Sequence, residues 1–188
     1  MKQLNENITG VVMAGGKSSR MGSDKGLLDF EGKPMVKYAI DLLSAYFKTL
    51  IISSNDRNYE MFNLPLVPDF HKNCGPICGL HAVMQQVETP YVFILSCDMP
   101  LMTVPVVEKL LASLNDDEIV VPRLTDGKIE PLCAIYSVRL LNKIEKQMLR
   151  SCYKMTELIK SSASNYVDFK DAGPFFNINH PGELNARR

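Results

Sequence analysis

The chain has 188 residues, of which 46% are hydrophobic and 22% are charged, as in an ordinary globular protein. Its 21 lysines and arginines balance its 21 aspartates and glutamates, which disfavours electrostatic binding to nucleic acid or to an acidic membrane surface. No apolar run is long enough to span a bilayer. We therefore expect a cytoplasmic protein with a single domain over residues 1–188, in which a local site holds any anionic ligand.

The five cysteines are odd in number, and none of them forms a C-x-x-C pair of the kind found in zinc and redox sites. We expect reduced thiols that are mostly buried.

Short apolar runs alternate with helical patterns over the first two thirds of the chain. The apolar runs predict buried strands at 8–13, 50–52, 66–67, 91–95 and 119–121. Apolar residues at helical spacing predict helices over 35–46, 77–87 and 107–114. This alternation predicts an α/β fold with a mostly parallel sheet and helices on both faces. The loops after the strands should then gather at one edge of the sheet.

The pattern is less regular after Pro122. It predicts strands at 132–136 and 166–169, a helix over 138–148 and a last helix over 180–186.

A glycine-rich loop directly follows the first strand and begins Met13-Ala14-Gly15-Gly16. Successive backbone N–H groups in such a turn bind anions, and the nearby cations Arg20 and Lys25 suit a triphosphate. A Walker loop would need glycine at position 11, where the chain has valine, and the Rossmann pattern G-x-G-x-x-G is absent. From the residues alone, the alternative to an anion-binding loop is a glycine-rich tight turn whose charged side chains are solvated.

Two aspartates follow predicted strands. Asp98 comes after the run 91–95 and precedes Met99-Pro100, and Asp69 follows the run 66–67. Either residue can serve as a turn former or a helix cap. Their position at strand ends also suits the ligand crevice of an open α/β sheet, where one carboxylate is enough to hold magnesium with phosphate oxygens and water.

The segment from Gly10 to Leu28 resembles the signature of molybdenum cofactor guanylyltransferases, a branch of the nucleotidyltransferases with a Rossmann-like three-layer fold. Most of the wider group has Ala-Ala-Gly where this chain has Ala14-Gly15-Gly16, as the guanylyltransferase branch does. The resemblance implies Mg²⁺ as cofactor, bound at Asp98. It implies catalytic roles for Arg20, Lys25 and Asp98. It implies nucleotide binding by Met13, Ala14, Gly15, Gly16, Lys25, Asp69 and Asp98.

The C-terminal segment Asn177-Ile178-Asn179-His180-Pro181 resembles a part of the family that surrounds the acceptor. The resemblance implies acceptor binding by Asn177 and Asn179, although capping of the next helix is an equal alternative from the residues alone. Glu130-Pro131-Leu132 likewise resembles an acceptor-side segment. Some family members have an asparagine after the second strand that contacts the nucleotide. In this chain either Ser53 or Asn55 could take that role.

The resemblance therefore implies a nucleotidyltransferase domain that transfers GMP from GTP to molybdopterin, the organic part of the molybdenum cofactor, and releases pyrophosphate. Alternatives are a related enzyme that uses CTP or a sugar phosphate, and a nucleotide-binding domain without catalysis. The expected partners are GTP and molybdopterin, with transient contacts to proteins that deliver the cofactor, and neither nucleic acid nor a membrane.

Overall fold

The computed structural model describes residues 4–15, 24–69 and 74–178, and its centre is a seven-stranded sheet in the order β5-β4-β1-β6-β8-β7-β9. Its strands are β1 (Ile8–Met13), β4 (Leu50–Ser53), β5 (Leu66–Val67), β6 (Tyr91–Ser96), β7 (Ile119–Leu124), β8 (Cys133–Ser137) and β9 (Ser164–Phe169). A separate small hairpin joins β2 (Asp29–Phe30) to β3 (Lys33–Pro34). The helices are α1 (Met35–Ser44), α2 (Pro76–Met84), α3 (Val104–Ala112), α4 (Leu141–Leu149) and α5 (Met155–Lys160).

The predicted α/β fold with a mostly parallel sheet is confirmed. Strand β1 pairs in parallel with β4 on one side and with β6 on the other, so the carboxyl ends of these three strands meet at one edge. The exception is β8, which pairs antiparallel with both β6 and β7. Hydrophobic alternation is the same for either direction, so the sequence could not reveal this reversal.

Two apolar clusters cover the two faces of the sheet. Alternate residues of β1 divide between them, since Val12 packs with α1 and α3 on one face and Val11 packs with α2, α4 and α5 on the other. Both valines are completely buried. This arrangement is the layered packing expected for an α/β sheet. Within the described part of the chain, no helix is long and apolar enough to cross a membrane.

The structure adds elements that apolar periodicity did not predict. Strand β7 continues through Pro122, although proline lacks a backbone N–H, because Pro122 pairs in the ladder with Val167 of β9 and accepts a hydrogen bond from Glu130 N. Helix α5 and two 3-10 helices, Lys25–Leu27 and Arg57–Phe62, were not predicted. The 3-10 helices are too short to show a periodic pattern. The predicted helix over 180–186 lies outside the described residues.

Candidate active site

Lys25 and Asp98 lie side by side at the carboxyl edge of the sheet. The Lys25 ammonium is 3.2 Å from Asp98 Oδ2, and both side chains are mostly buried, with 22% and 18% of their surface exposed. Ser96 at the end of β6 donates a hydrogen bond of 2.6 Å to the other oxygen, Oδ1. Residues 73 positions apart in the chain thus form one charged centre.

A 3-10 helix, Lys25–Leu27, carries Lys25 to this position. Asp24 caps it by accepting a hydrogen bond of 3.0 Å from Gly26 N. Tyr59, which is completely buried, donates its hydroxyl hydrogen to the same oxygen of Asp24. The sequence did not single out Tyr59, because it lies in the second 3-10 helix, where no motif marks it.

The first residues of the glycine loop are held firmly by the sheet. Met13 O accepts a hydrogen bond from Cys97 N, and Ala14 N donates to Ser53 O at 2.9 Å. Ser54 Oγ donates to Ala14 O at 3.0 Å. Met13 and Ala14 are buried, whereas Gly15 is exposed. Met13 and Ala14 therefore fix where the loop begins, and Gly15 is open to solvent.

The ends of β4 and β5 bring two further polar side chains together. Asn55 donates an amide hydrogen to Asp69 Oδ1 at 2.7 Å, beside the loop after β1. Ser53 is buried and its hydroxyl lies against Gly79 of α2, where a Cβ would be only 2.7 Å from Ser53 Oγ. Of the two residues left open by the sequence, Asn55 is therefore the one that a ligand can reach.

The other side of Asp98 is formed by the C-terminal segment and by the residues before β8. Ile178 N donates to Asp98 O at 2.9 Å, which brings the adjacent Asn177 to this edge. Ser96 N donates to Leu132 O at 2.8 Å. Residues that resemble acceptor-side segments of the family thus contact the loop that carries Asp98.

Glu130 is a buried carboxylate on this same side, with 5% of its surface exposed. The Lys128 ammonium forms an ion pair with Oε1 at 2.6 Å, and Oε1 accepts no hydrogen bond from the described residues. Buried carboxylate oxygens normally accept hydrogen bonds, so Glu130 has acceptor capacity to offer a ligand.

Cys97 lies between Ser96 and Asp98 but is not suited to act as a nucleophile. Burial, reinforced by the charges of Asp98 and Asp24, raises the pKa of its thiol well above the usual value. The reactive form of cysteine is the thiolate, so Cys97 stays a neutral packing residue. Among the described residues, all five cysteines are free thiols, and three of them are buried, as predicted.

A divalent cation fits the chemistry of this edge. The described residues contain no group of three or more His, Cys, Asp or Glu side chains placed to hold a metal by themselves. Magnesium commonly takes only one or two carboxylates and completes its shell with phosphate oxygens and water. Asp98, with Ser96 fixing one of its oxygens, meets that requirement when a phosphate-bearing ligand supplies the rest.

Three residues predicted to belong to the site lie outside the described residues, namely Gly16, Arg20 and Asn179. The remaining predicted residues are Met13, Ala14, Gly15, Lys25, Asp69, Asp98 and Asn177, and all of them lie at or beside the carboxyl edge of β5, β4, β1 and β6.

Comparison with known proteins places the chain in a family. Residues 10–165 match the model of the MobA-like NTP transferase domain. The molybdenum cofactor guanylyltransferase of Vibrio atlanticus (strain LGP32) is 36% identical over 181 residues, which cover 93% of this chain and 92% of that protein. The enzyme of the same name from Vibrio cholerae is 32% identical and covers 93% of this chain and 88% of its own length.

A solved structure shares the fold. The molybdopterin-guanine dinucleotide biosynthesis protein A of Archaeoglobus fulgidus superposes with a TM-score of 0.78, covering 94% of this chain and 95% of that one at 22% identity.

The fold, the charged centre at its edge and the matching domain model define an enzyme of the nucleotidyltransferase class. Within that class, the chain belongs to the molybdenum cofactor guanylyltransferase family.

Proposed function

We propose that the protein transfers GMP from GTP to molybdopterin, releases pyrophosphate and uses Mg²⁺. The observation that carries this proposal is the Lys25–Asp98 pair, placed between the loop after β1 and the segment before β8. The names of the curated relatives support GTP over CTP and over a sugar-phosphate acceptor.

The nucleotide would lie across the ends of β5, β4, β1 and β6. The backbone of Gly15 and of the residues after it would donate N–H groups to the phosphates, while buried Met13 and Ala14 fix the start of the loop. Asp69 orients the amide of Asn55 and adds a carboxylate to the same side. Carboxylates and amides can pair with the ribose hydroxyls or with the base.

The acceptor would lie on the opposite side of Asp98, against Asn177 and Glu130. Molybdopterin carries a pterin ring whose 2-amino-4-oxo edge presents adjacent N–H donors. The unused acceptor capacity of Glu130 suits those donors. Asn177 and Asn179 would supply amide groups for the remaining polar atoms.

The reaction joins the two ligands at the Lys25–Asp98 centre. An oxygen of the terminal phosphate of molybdopterin attacks the α-phosphorus of GTP, forming one P–O bond while the bond to the bridging oxygen of pyrophosphate breaks. The attacking oxygen is already anionic, so no general base is needed. Lys25, with Arg20, neutralises negative charge on the phosphates, and the loop aligns the α-phosphorus with the incoming oxygen. A magnesium ion held by Asp98 supplies further neutralisation of phosphate charge when it is bound.

Asp98→Asn tests this assignment because it keeps the size and one acceptor oxygen while removing the charge. We expect pyrophosphate release from GTP and molybdopterin to fall by about 10²–10³-fold, the usual loss for one electrostatic contact to a reacting centre. Asp116→Asn, an exposed carboxylate paired with Arg139 on the surface, serves as the matched control and should retain activity.

Substrate choice is read in the same assay with GTP, CTP and ATP. A preference for CTP would reject the guanylyl assignment. Binding of GTP without turnover in the presence of molybdopterin would reject the enzyme assignment in favour of a binding domain.

Three further expectations stay predictions of the proposed function. They are a single nucleotidyltransferase domain over residues 1–188, a location in the cytoplasm, and transient contacts with proteins that deliver the cofactor.

A further inference from the structure

A hydrogen-bond network lies beneath Lys25 and is centred on Tyr59. The ring of Tyr59 is completely buried in the apolar cluster that also contains Val12 and Leu95. Its hydroxyl group donates to Asp24 Oδ1, the oxygen that caps the 3-10 helix Lys25–Leu27. A buried phenol thus reaches the residue directly before Lys25.

Tyr59 also fits against the residue directly after Lys25. Gly26 is buried, and a Cβ built on it would collide with Tyr59 Oη and lie 3.1 Å from Cys97 Sγ. The absence of a side chain at Gly26 lets the backbone next to Lys25 close onto the phenol and onto the residue before Asp98. A three-residue helix has little apolar surface of its own, so such contacts decide its position.

The segment that carries Tyr59 is itself tied to the nucleotide loop. Ser54 Oγ donates to Ala14 O and accepts a hydrogen bond of 3.1 Å from Asp56 N. Asp56 in turn caps the 3-10 helix Arg57–Phe62 through Asn58 N. One continuous set of contacts therefore runs from Ala14, through Tyr59, to Lys25 and Asp98.

The phenol is a neutral hydrogen-bond donor at neutral pH. Burial, reinforced by the nearby Cys97 thiol and the Asp24 carboxylate, raises the pKa of Tyr59 well above its ordinary value of 10.0. A neutral phenol can donate a hydrogen bond and a carboxylate can only accept one, so Tyr59 is always the donor and Asp24 the acceptor.

We propose that Tyr59 is a positioning residue for phosphate binding: its hydroxyl holds Asp24 and Gly26, and thereby keeps the Lys25 ammonium beside Asp98 before the nucleotide arrives. This inference rests on the proposed function, since it assigns Lys25 to the triphosphate. Its benefit is preorganisation, because a lysine side chain that is already placed loses less freedom on binding.

A double-mutant cycle of Tyr59→Phe and Lys25→Met tests the proposal. Tyr59→Phe keeps the buried ring and removes only the hydroxyl. We expect it to lower kcat/KM for GTP by about 10- to 100-fold, the range that a displacement of about 1 Å can cause. In the Lys25→Met background the same change should add less than twofold, because no ammonium remains to be positioned.

Tyr46→Phe is the matched control. Tyr46 is also buried and donates to a carboxylate, Glu108, at 3.1 Å, but it lies beyond the end of α1. Its loss should change kcat/KM less than twofold. Full additivity of Tyr59→Phe and Lys25→Met, or an effect of Tyr59→Phe below twofold, would overturn the proposal.

A second pair of variants covers the case in which Tyr59→Phe fails to fold. Asp24→Ala removes the acceptor of the Tyr59 hydrogen bond, at a residue that is only half-buried. It should show the same non-additivity with Lys25→Met. Asp24→Asn retains an oxygen that accepts from Tyr59 and Gly26, so it should restore kcat/KM to within about threefold of the wild type. Equal losses in both Asp24 variants would reject the positioning role.

Calorimetric titration of Mg²⁺·GTP into the same variants separates this inference from the proposed function. If the wild type binds GTP but does not turn over with molybdopterin, the proposed function fails. The double-mutant cycle can then still be evaluated from the dissociation constants for GTP. Non-additive losses of GTP affinity support the role of Tyr59, and additive losses or no binding of GTP by the wild type refute it.

Discussion

Gly15→Ala is expected to change folding stability and nucleotide affinity in opposite directions. In the protein, a Cβ on Gly15 would lie 3.8 Å from Ser53 O, an ordinary van der Waals distance, and no closer described atom opposes it. Gly15 is not among the glycines with positive φ, so alanine can adopt its backbone conformation. Such a replacement stabilises a protein by about 0.4–1 kcal/mol, because alanine leaves the unfolded chain fewer conformations.

The expected effect on binding follows from the exposed position of Gly15 at the start of the loop. A methyl group between the backbone and a phosphate would break or lengthen one charge-assisted hydrogen bond, which contributes about 1.5–3 kcal/mol. We therefore expect the dissociation constant of Mg²⁺·GTP to rise by about 10- to 100-fold. Calorimetric titration measures the affinity, and urea unfolding measures the stability.

Gly26→Ala provides the contrast. There the added Cβ would collide with Tyr59 Oη, so we expect stability to fall by about 1–3 kcal/mol together with affinity. GTP affinity of Gly15→Ala within twofold of the wild type would show that the nucleotide does not lie against this loop. A loss of stability in Gly15→Ala would show that the glycine is required by the fold instead.

Two further substitutions address the acceptor side and the response to acid. Glu130→Gln should raise the KM for molybdopterin about tenfold and leave the KM for GTP within twofold. Equal effects on both substrates would contradict the acceptor-side assignment. The backbone N–H of Ala163, together with Lys143, holds the pKa of Glu118 below its usual 4.5. The ionised Glu118 carboxylate therefore stabilises the fold above pH 4.5. This stabilisation is lost as the pH falls through the pKa of Glu118 in the folded state. In urea unfolding, Glu118→Gln should therefore be less stable than the wild type at pH 7, and the difference should shrink below pH 4.5; a difference independent of pH would refute the linkage.

The sequence predicted those parts of the site that follow directly from a strand end. Asp98 and the loop after β1 were placed correctly at one edge of the sheet, because parallel strands bring their carboxyl ends together. The pairing of Lys25 with Asp98 was not predicted, because it depends on the 3-10 helix Lys25–Leu27.

The parts that could not be predicted depend on contacts made through irregular segments. Tyr59 sits in a 3-10 helix of six residues, and nothing in its local sequence relates it to Asp24, which lies 35 positions earlier. The pairing of Asn55 with Asp69 also depends on where two loops end in space. Hydrophobic periodicity and secondary-structure propensity describe each segment separately, whereas these contacts arise from the packing of segments against one another.

The reversed direction of β8 explains how a second ligand could reach Asp98. Strand β6 runs parallel to β1, with Ser96 opposite Met13, so the loop that would hold the nucleotide and the loop that carries Asp98 leave the sheet together. On its other side β6 runs antiparallel to β8, with Leu95 opposite Cys133, so β8 begins where β6 ends. A parallel β8 would bring its own carboxyl end to this edge and carry residues 130–132 to the far side of the sheet.

Antiparallel pairing therefore delivers Glu130 and Leu132 to the edge that carries Asp98, and Leu132 O receives the hydrogen bond from Ser96 N that fixes them there. The change from parallel to antiparallel pairing at β6 then separates the proposed nucleotide side from the proposed acceptor side. Asp98 follows β6, which pairs in parallel with β1 and antiparallel with β8, so a phosphate presented from either side would meet the same carboxylate and the same lysine.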